Sequence, residues 1–437
     1  MKPVRKQHSE RGLAMVTSLM VLSFLTVIGA AMLASTNVDV RITDNYRTNT
    51  QLLFLAEAGF EAAREQLRVD VEAKIKASSA DSIETLEDGI TAVFQDYDGA
   101  DGVFSTSIDP AALAASDDVA YRTGTIAASG DTIGTYTAYI RNDPVDGGAS
   151  NTDSNKVITI LSIGTIGNFT KIVEIDVKKG EFPDVPSAVT LNGDVPPSGF
   201  QTPTSNNFDV FGDDAAGIEP AVNAVGVIGL GTSGVNVEDA ISAGADYSDS
   251  YCGENEPPVA GSCAGGPDID DVSGELGGQL LTAAGLLTLI DSMESAATHT
   301  TCPNTSAWGS SASPRVTVVR GDCNVPNNVD GWGLLVVNGA LDMGGNGSWN
   351  GLIIVVDDTV CNPNGAGGTP HYAASVAGTA QINGGIFVAS VIAGQLDDAC
   401  LNFNGGGGSN GGVQYNSETV RNAFAGLPFF PVAWREY

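Results

Sequence analysis

The N-terminal part of the chain carries two apolar patterns of different kinds. Residues 13–33 contain no charged side chain and, at about 1.5 Å per residue, would span roughly 30 Å of hydrocarbon as a helix. Further on, five apolar residues recur at steps of three and four, the period of a helix with one buried face. They are Leu53, Ala56, Phe60, Ala63 and Leu67, with Glu57 and other charged residues elsewhere on the circumference. Because no proline occurs between Val4 and Asp109, we predict one helix, straight or bent near residues 36–43, on the order of 80 Å long over about 55 residues.

Downstream of this helix the hydrophobic period changes. A second helix is expected over about 82–95. Three segments rich in β-branched and aromatic residues follow, at 135–140, 156–163 and 171–178, and they read as strands. Gly167-Asn168 stands between the last two and is a signal for a two-residue hairpin.

The remainder of the chain falls into three stretches of different composition. Residues 181–207 carry five prolines and read as a linker. Residues 208–314 mix loops and cysteines with a helix expected over about 277–297. From residue 315 onward, short apolar runs separated by glycine and asparagine suggest the stacked strands of a solenoid or a sandwich. The Asn-Gly turns are at 338–339, 350–351 and 383–384.

Composition and charge narrow the functional classes. The chain has 437 residues, 54 of them glycine, and a formal charge of −32. Because phosphate groups need basic partners, a surface this acidic argues against a nucleic-acid binder. Hydrophobic residues still make up 42% of the chain, which indicates a folded, turn-rich protein and not a disordered acidic tail.

The six cysteines all lie in the C-terminal half, and none has the CxxC spacing of a zinc or redox site. An even number in an exported chain favours disulfides, and pairing between sequence neighbours closes short loops. We therefore predict the pairs Cys252–Cys263, Cys302–Cys323 and Cys361–Cys400. Free, buried thiols are the alternative.

The basic leader sets the orientation of the apolar run. Lys2, Arg5, Lys6 and Arg11 precede it, so the positive-inside rule places the N-terminus in the cytoplasm and the bulk of the chain outside. A secretion signal cut near Gly29-Ala30-Ala31, a plain membrane anchor and a helix processed for assembly are the three readings. The run is longer than the apolar core of about 7–15 residues in a conventional signal peptide, and the helical pattern continues beyond it.

The basic leader that ends in Arg11-Gly12, followed by GLAMVTSLMVLSFLTVIG, resembles the class III signal of the type IV pilin superfamily. The segment NYRTNTQLLFLAEAGFEAAREQL, with Ala56 and Glu57 in its LAEAG core, resembles PilX-type minor pilins more specifically. The ending Trp434-Arg435-Glu436 also resembles long PilX-like proteins.

This resemblance implies an α+β fold: a pilin-like long N-terminal helix with an antiparallel β-sheet, followed by a larger glycine-rich all-β domain, solenoid-like or sandwich-like. The expected organisation is a leader at 1–12, an assembly helix at 13–80, a pilin-like α/β domain at 81–180, a linker at 181–207, a cysteine-containing region at 208–314 and a glycine-rich β domain at 315–437.

The resemblance also implies processing and partners. A prepilin peptidase would cut after Gly12 and methylate Leu13. The protein would cross the inner membrane once, with its C-terminus in the periplasm, and would then enter an extracellular pilus. The expected partners are other minor and major pilins, the inner-membrane assembly platform and a tip adhesin, and the exposed domain would serve interaction or adhesion.

Thr17 departs from the pattern of major pilins, which carry glutamate at this fifth mature position. A carboxylate in lipid is unfavourable without a partner, and a subunit at the filament tip has no subunit above it to offer one. Thr17 therefore favours a tip or initiating position. The K-type minor pseudopilin of type II secretion shares this feature and stays an alternative, as does the reading of Thr17 as an ordinary residue of a membrane helix.

Candidate chemistry is sparse, and we expect no enzyme activity. Only His299 and His371 remain beyond the leader, which argues against a Ser-His-Asp site or a multi-histidine metal site. Gly229, Gly231 and Gly234 have GxGxxG spacing but lack a surrounding βαβ pattern. A membrane-anchored carbohydrate-active enzyme with two opposed carboxylates is the remaining catalytic alternative.

Two acid pairs are the candidates for a metal site. Asp357-Asp358 and Asp397-Asp398 flank Cys361 and Cys400, so a disulfide between these cysteines would draw the pairs together. Oxygen-rich loops of this kind can hold Ca²⁺, which is the one cofactor considered. Solvated loop acids are the alternative reading.

Overall fold

The computed structural model describes residues 10–77, 86–128, 131–179, 185–203, 208–243, 250–255, 258–259, 262–263, 266–276, 280–365, 369–404, 411–425, 427 and 429–437. The helices are α1 (Glu10–Ala77), α2 (Leu86–Tyr97), α3 (Pro110–Ala115), α4 (Val235–Ser242), α5 (Ala283–Ala296) and α6 (Ser417–Ala425). Short helical turns also occur at Pro144–Asp146 and Leu230–Gly234.

The first twelve strands are β1 (Arg122–Ala128), β2 (Asp131–Asn142), β3 (Val157–Ile166), β4 (Phe169–Lys179), β5 (Ser187–Asn192), β6 (Phe200–Gln201), β7 (Phe208–Phe211), β8 (Asn223–Val227), β9 (Tyr251–Cys252), β10 (Pro258–Val259), β11 (Ser262–Cys263) and β12 (Ile269–Asp271). The others are β13 (Ala307–Trp308), β14 (Arg315–Arg320), β15 (Cys323–Val325), β16 (Asp330–Asn338), β17 (Leu341–Met343), β18 (Ser348–Asp357), β19 (Ala374–Ala377), β20 (Gln381–Ile392), β21 (Gln395–Asp397), β22 (Leu401–Asn404), β23 (Gly411–Tyr415) and β24 (Phe429–Glu436).

The C-terminal half of α1 packs on an antiparallel sheet. Four sheet strands follow in chain order, β1-β2-β3-β4, and Gly167 with Asn168 forms the predicted two-residue turn between β3 and β4. Gly59 on α1 and Gly164 on β3 allow the helix to lie directly against the strand. A Cβ on Gly59 would stand 2.3 Å from Ser162 Oγ, and one on Gly164 would stand 2.4 Å from the Leu52 carbonyl oxygen. The helix backbone can approach this closely only where side chains are absent.

The apolar stripe predicted on α1 forms the core of this unit. Ala56, Phe60, Ala63 and Leu67 are buried, and Leu53 packs against them. The α+β fold with a long N-terminal helix on an antiparallel sheet, followed by a larger β domain, is therefore confirmed. The start of the predicted helix at 82–95 lies partly outside the described residues, and α2 ends two residues later than expected.

The fifth strand of this sheet comes from the other end of the chain. β24 pairs antiparallel with β4, joining Phe429 to Lys179 and Glu436 to Val173. The large β domain is therefore inserted between two neighbouring strands of one sheet. This corrects the assignment of the tail to the glycine-rich domain at 315–437, because its hydrogen-bonding partners are residues 173–179.

The inserted domain is a parallel β-solenoid. Successive strands stack in register, for example Asp330 on Ser348 and Ser348 on Gln381. A second parallel sheet runs beside the first, in the order β15-β17-β19-β22-β6. Between the alternatives of solenoid and sandwich, the structure decides for the solenoid, and its interior is filled by valine, leucine and isoleucine.

The chain enters the solenoid in the middle of the stack. Strand β5 pairs on one side with β8 and on the other with β20, which lies far along the sequence. The chain first builds β8 and β12, crosses through α5, and returns through β14, β16, β18 and β20 to the first strand, β5. The predicted linker at 181–207 therefore contains strands β5 and β6. Residues 208–314 also supply strands to the same solenoid.

Glycines form a corner of the solenoid. Gly333, Gly351 and Gly384 occupy the same register position in three stacked strands and have φ of +117°, +136° and +147°. Before this corner β20 pairs with β23, and after it with β5, so two faces of the solenoid meet here. The predicted Asn-Gly turns at 350–351 and 383–384 are thus bends inside strands that remain paired. The chain changes direction at the glycine, and the residues on either side keep their partners.

The structure contains the three disulfides predicted from sequence order. The Cα–Cα distances are 5.1 Å for Cys252–Cys263, 5.4 Å for Cys302–Cys323 and 5.9 Å for Cys361–Cys400. All three lie in the inserted domain.

Helix α5 covers the sheet with Leu286, Ile290 and Met293. It starts at residue 283 because the Thr282 side chain caps it by accepting a hydrogen bond from Gly285 N.

The glycine corner provides a test of the solenoid. In Gly351→Ala a Cβ would stand 2.1 Å from the Gly333 carbonyl oxygen, at a φ unfavourable for alanine. We expect a loss of about 3 kcal/mol in the free energy of unfolding, measured by urea titration with circular dichroism. Gly385→Ala, whose Cβ would find its nearest neighbour at 3.3 Å, is the matched control and should cost less than about 1 kcal/mol. Equal effects of the two substitutions would contradict the requirement for glycine at this corner.

Candidate assembly surface

The N-terminal half of α1 projects from the folded domains. α1 has 68 residues and is therefore about 100 Å long, but every residue from 15 to 47 is exposed. Large apolar side chains dominate the segment, including Leu19 at 63%, Phe24 at 67% and Leu33 at 69% exposure. Among the described residues this is the one helix long and apolar enough to cross a membrane. Exposed apolar surface of this extent marks contact with a membrane or with other proteins.

A polar stretch separates the apolar segment from the domain. Asp39, Arg41, Asp44 and Arg47 lie on exposed turns of α1, and burial starts at Leu52. From Leu33 to Leu52 the helix rises by roughly 28 Å. The apolar segment can therefore lie within a bilayer while the folded domain stays in water.

The structure places the predicted assembly residues in two different environments. Thr17 lies on the exposed apolar half. Leu53, Ala56 and Phe60 pack against the sheet of the same chain, and Glu57 is half-buried beside them. Leu53, Ala56 and Phe60 thus fix α1 to its own domain, and the half that contains Thr17 is the part of the helix that stays exposed.

Gly12 and Leu13 lie in the first turn of α1, which starts at Glu10. Most of the predicted leader, residues 1–9, lies outside the described residues. The processing of this site stays a prediction.

The C-terminal tail, residues 429–436, packs on the α/β domain through contacts that no sequence pattern identified. The ring of Trp434 meets the buried ring of Phe60 on α1 edge to face, at 6.2 Å between centroids. On the other side of the sheet, Arg435 Nη1 donates to Glu174 Oε1 at 2.6 Å and Nη2 to Asp176 Oδ2 at 2.9 Å. The tail was singled out only by resemblance, because no local pattern shows that residues 429–436 pair with 173–179.

The carboxylates that Arg435 contacts are buried, so they depend on charged or hydrogen-bonding partners within the protein. Glu174 and Asp176 are 4% and 6% exposed. Arg141 also donates to Glu174 at 2.7 Å, and the Thr159 hydroxyl donates to Asp176 at 2.7 Å. Hydrogen bonds to Asp176 and Glu174 raise the pKa of Arg435, so the guanidinium stays charged. Carboxylates removed from water need such partners.

The two acid pairs lie at the ends of strands β18 and β21, and β21 pairs with the last residues of β20. Asp357 is 1% exposed, and its Oδ2 lies 2.6 Å from His371 Nε2. Burial raises the pKa of Asp357, and the hydrogen bond to His371 opposes this shift. Burial and the charge of Asp397 raise the pKa of Asp398.

The Cys361–Cys400 disulfide that the prediction assumed is formed, with one acid pair shortly before each of its cysteines in the sequence. In the part of the chain that the structure describes, no group of three or more His, Cys, Asp or Glu side chains is arranged to hold a metal ion. Calcium at Asp357, Asp358, Asp397 and Asp398 stays a prediction.

The tail contact gives a stability test. Arg435→Ala removes a partner from both Glu174 and Asp176, and we expect the free energy of unfolding to fall by roughly 1–3 kcal/mol. Glu436→Gln is the control on the next residue, since its ion pair with Lys171 is half-exposed and should contribute less than about 1 kcal/mol. Urea unfolding of the chain in detergent measures both changes. An Arg435→Ala effect no larger than the control would argue against a stabilising contact between Arg435 and the two carboxylates.

No protein-family model matches the chain, and no curated protein matches it. Among solved structures, the chain is similar to the competence-associated pilin ComZ from Thermus thermophilus, with 11% sequence identity and a TM-score of 0.22. The alignment covers 89% of this chain and 97% of the other. A similarity at this score and identity supports no conclusion about function.

Proposed function

We propose that this chain is a structural subunit of a pilus, a minor pilin of a type IV pilus that promotes filament assembly from a position at the tip. The observation that carries the proposal is the division of α1 into an exposed apolar half and a half that forms the core of an α/β domain. One rigid helix thereby joins a membrane-compatible segment to a folded domain.

The exposed half of α1 suits two successive environments. While the chain is in the inner membrane, lipid covers the apolar segment from Leu13 to Leu33. In a filament, the same side chains would pack against the corresponding helices of other pilins, which gives an equally apolar environment. Thr17 introduces no charge into either environment, and this supports a tip or initiating position.

The solenoid suits an outward-facing role without catalysis. It is inserted at the sheet edge formed by β4 and β24, and it is tied to the α/β domain at both ends. Because both connections leave from neighbouring strands, the rest of the solenoid surface is available for presentation to other tip proteins or to an external partner.

The N-terminus of the mature chain tests this proposal. We expect mass spectrometry of the protein purified from its native host to find N-methyl-Leu13. Gly12→Val should abolish this cleavage because the processing site is altered, whereas Ala31→Val, in the alternative small-residue site, should leave it unchanged. A mature chain that begins beyond Ala31 and depends on Ala31, or an intact Met1 in the unaltered protein, would overturn the proposal.

A second measurement separates the pilus from a secretion system. Deletion of the chain should reduce the number of surface pili and leave type II secretion of extracellular enzymes unchanged. Antibody labelling should mark filament ends. Loss of secretion with normal pili would instead assign the chain to the K-type pseudopilins.

A further inference from the structure

One face of the solenoid presents a column of amide side chains that ends in an aromatic residue on either side. Trp332, Asn350, Asn383 and Gln414 occupy the same register position on successive parallel strands, and Phe211 follows. We call these five residues the amide column. All five are partly exposed. At about 4.8 Å between strands the column extends over roughly 19 Å.

The exposure of the column follows from strand alternation. The residues that precede the last four members of the column point into the solenoid and are buried; they are Trp349, Ile382, Val413 and Val210. The fold therefore fixes the column on the outer surface of a rigid sheet. Helix α6 lies beside it, where Thr419 Oγ1 donates to the Asn383 carbonyl oxygen at 2.7 Å.

Hydrogen bonds within the chain orient the amides of the column. Asn383 Nδ2 donates to Asn350 Oδ1 at 3.1 Å, and Asn350 Nδ2 donates to Asp330 Oδ1 at 3.3 Å. No donor to Asn383 Oδ1 occurs among the described residues. Asn350 Nδ2 also donates to the Gly331 carbonyl oxygen at 3.3 Å, and Gln414 Nε2 donates to the Asp213 carbonyl oxygen at 2.6 Å. Because each amide has two donor hydrogens and an acceptor oxygen, the capacity left for an external ligand lies at Asn383 and at the acceptor oxygen of Gln414.

Trp332 differs from the two buried tryptophans of the solenoid. Trp308 Nε1 donates to Thr317 Oγ1, and Trp349 Nε1 donates to the Gly333 carbonyl oxygen. Within the described ranges, the indole N–H of Trp332 donates no hydrogen bond and its ring meets no aromatic ring or cation. A partly exposed indole with a polar tip is typical of binding surfaces that combine stacking with hydrogen bonding.

These features together fit a sugar chain. A pyranose ring has an apolar C–H face that can stack on an indole, and hydroxyl groups that act as donors and acceptors toward amides. Asp330 and Asp209 flank the column, and the chain carries a formal charge of −32, which disfavours an acidic polysaccharide. We propose that the amide column with Trp332 binds a neutral polysaccharide.

This inference rests on the proposed function in one respect, since it names the ligand class of the outward-facing domain. Binding itself requires neither processing at Gly12 nor a filament. A failure of either proposal is therefore distinguishable from a failure of the other.

Isothermal titration of the full chain, in a detergent without a sugar headgroup, tests the proposal. The probes are cellohexaose, mannohexaose and the N-acetylglucosamine hexamer, with hyaluronan as the acidic counterpart. We expect at least one neutral probe to bind in the millimolar range or tighter, with little dependence on salt.

Substitutions locate the site. Trp332→Ala should weaken binding by roughly tenfold, and Trp332→Phe should keep most of it because a stacking ring remains. Asn383→Ala, which leaves Trp332 in place, should weaken binding by about fivefold. The matched control is Trp434→Ala, since Trp434 is 47% exposed but lies on the α/β domain, and this change should leave affinity unchanged.

Three results would overturn the proposal: no neutral probe binds, hyaluronan binds more tightly than all of them, or Trp434→Ala reduces affinity as much as the substitutions in the column. If Trp332→Ala does not fold, as judged by circular dichroism, Asn383→Ala and Trp332→Phe decide. Unchanged affinity in Asn383→Ala would then reject the column as the site.

Discussion

The close packing of α1 on β3 is the contact on which the rest of the structure depends. Gly59 and Gly164 remove the side chains that would otherwise hold helix and strand apart, and the stripe from Ala56 to Leu67 fills the space around them. Because this half of α1 is fixed by burial, the apolar half has to project as a continuation of the same helix. The proposed anchoring and assembly role follows from that single rigid connection.

The sheet that receives α1 also holds the solenoid. Its last two strands, β4 and β24, are the points at which the chain leaves and re-enters the α/β domain. Arg435 joins them through the buried carboxylates of Glu174 and Asp176. The exit and return points are therefore adjacent and charge-paired, so both connections of the large inserted domain start from the same place on the sheet.

The solenoid obtains its rigidity in a different way. Its strands are parallel and in register, so residues at equivalent positions stack in columns from strand to strand. Apolar columns fill the interior, glycine forms a corner, and amides form an outer surface. A surface built in this way is long, flat and repetitive, which matches the geometry of a polymer better than that of a compact ligand.

The sequence by itself determined the features that depend on local periodicity. The apolar run, the stripe from Leu53 to Leu67, the strands around Gly167 and the disulfides between neighbouring cysteines all follow from spacings of a few residues or from short loops. Tertiary structure alone decided the pairing of β5 with β20, the return of β24 to β4 and the alignment of Trp332 with Asn383. These contacts join segments far apart in the chain, and parallel strand pairing leaves no local signal of its partner, because any apolar strand of similar length could occupy the same edge.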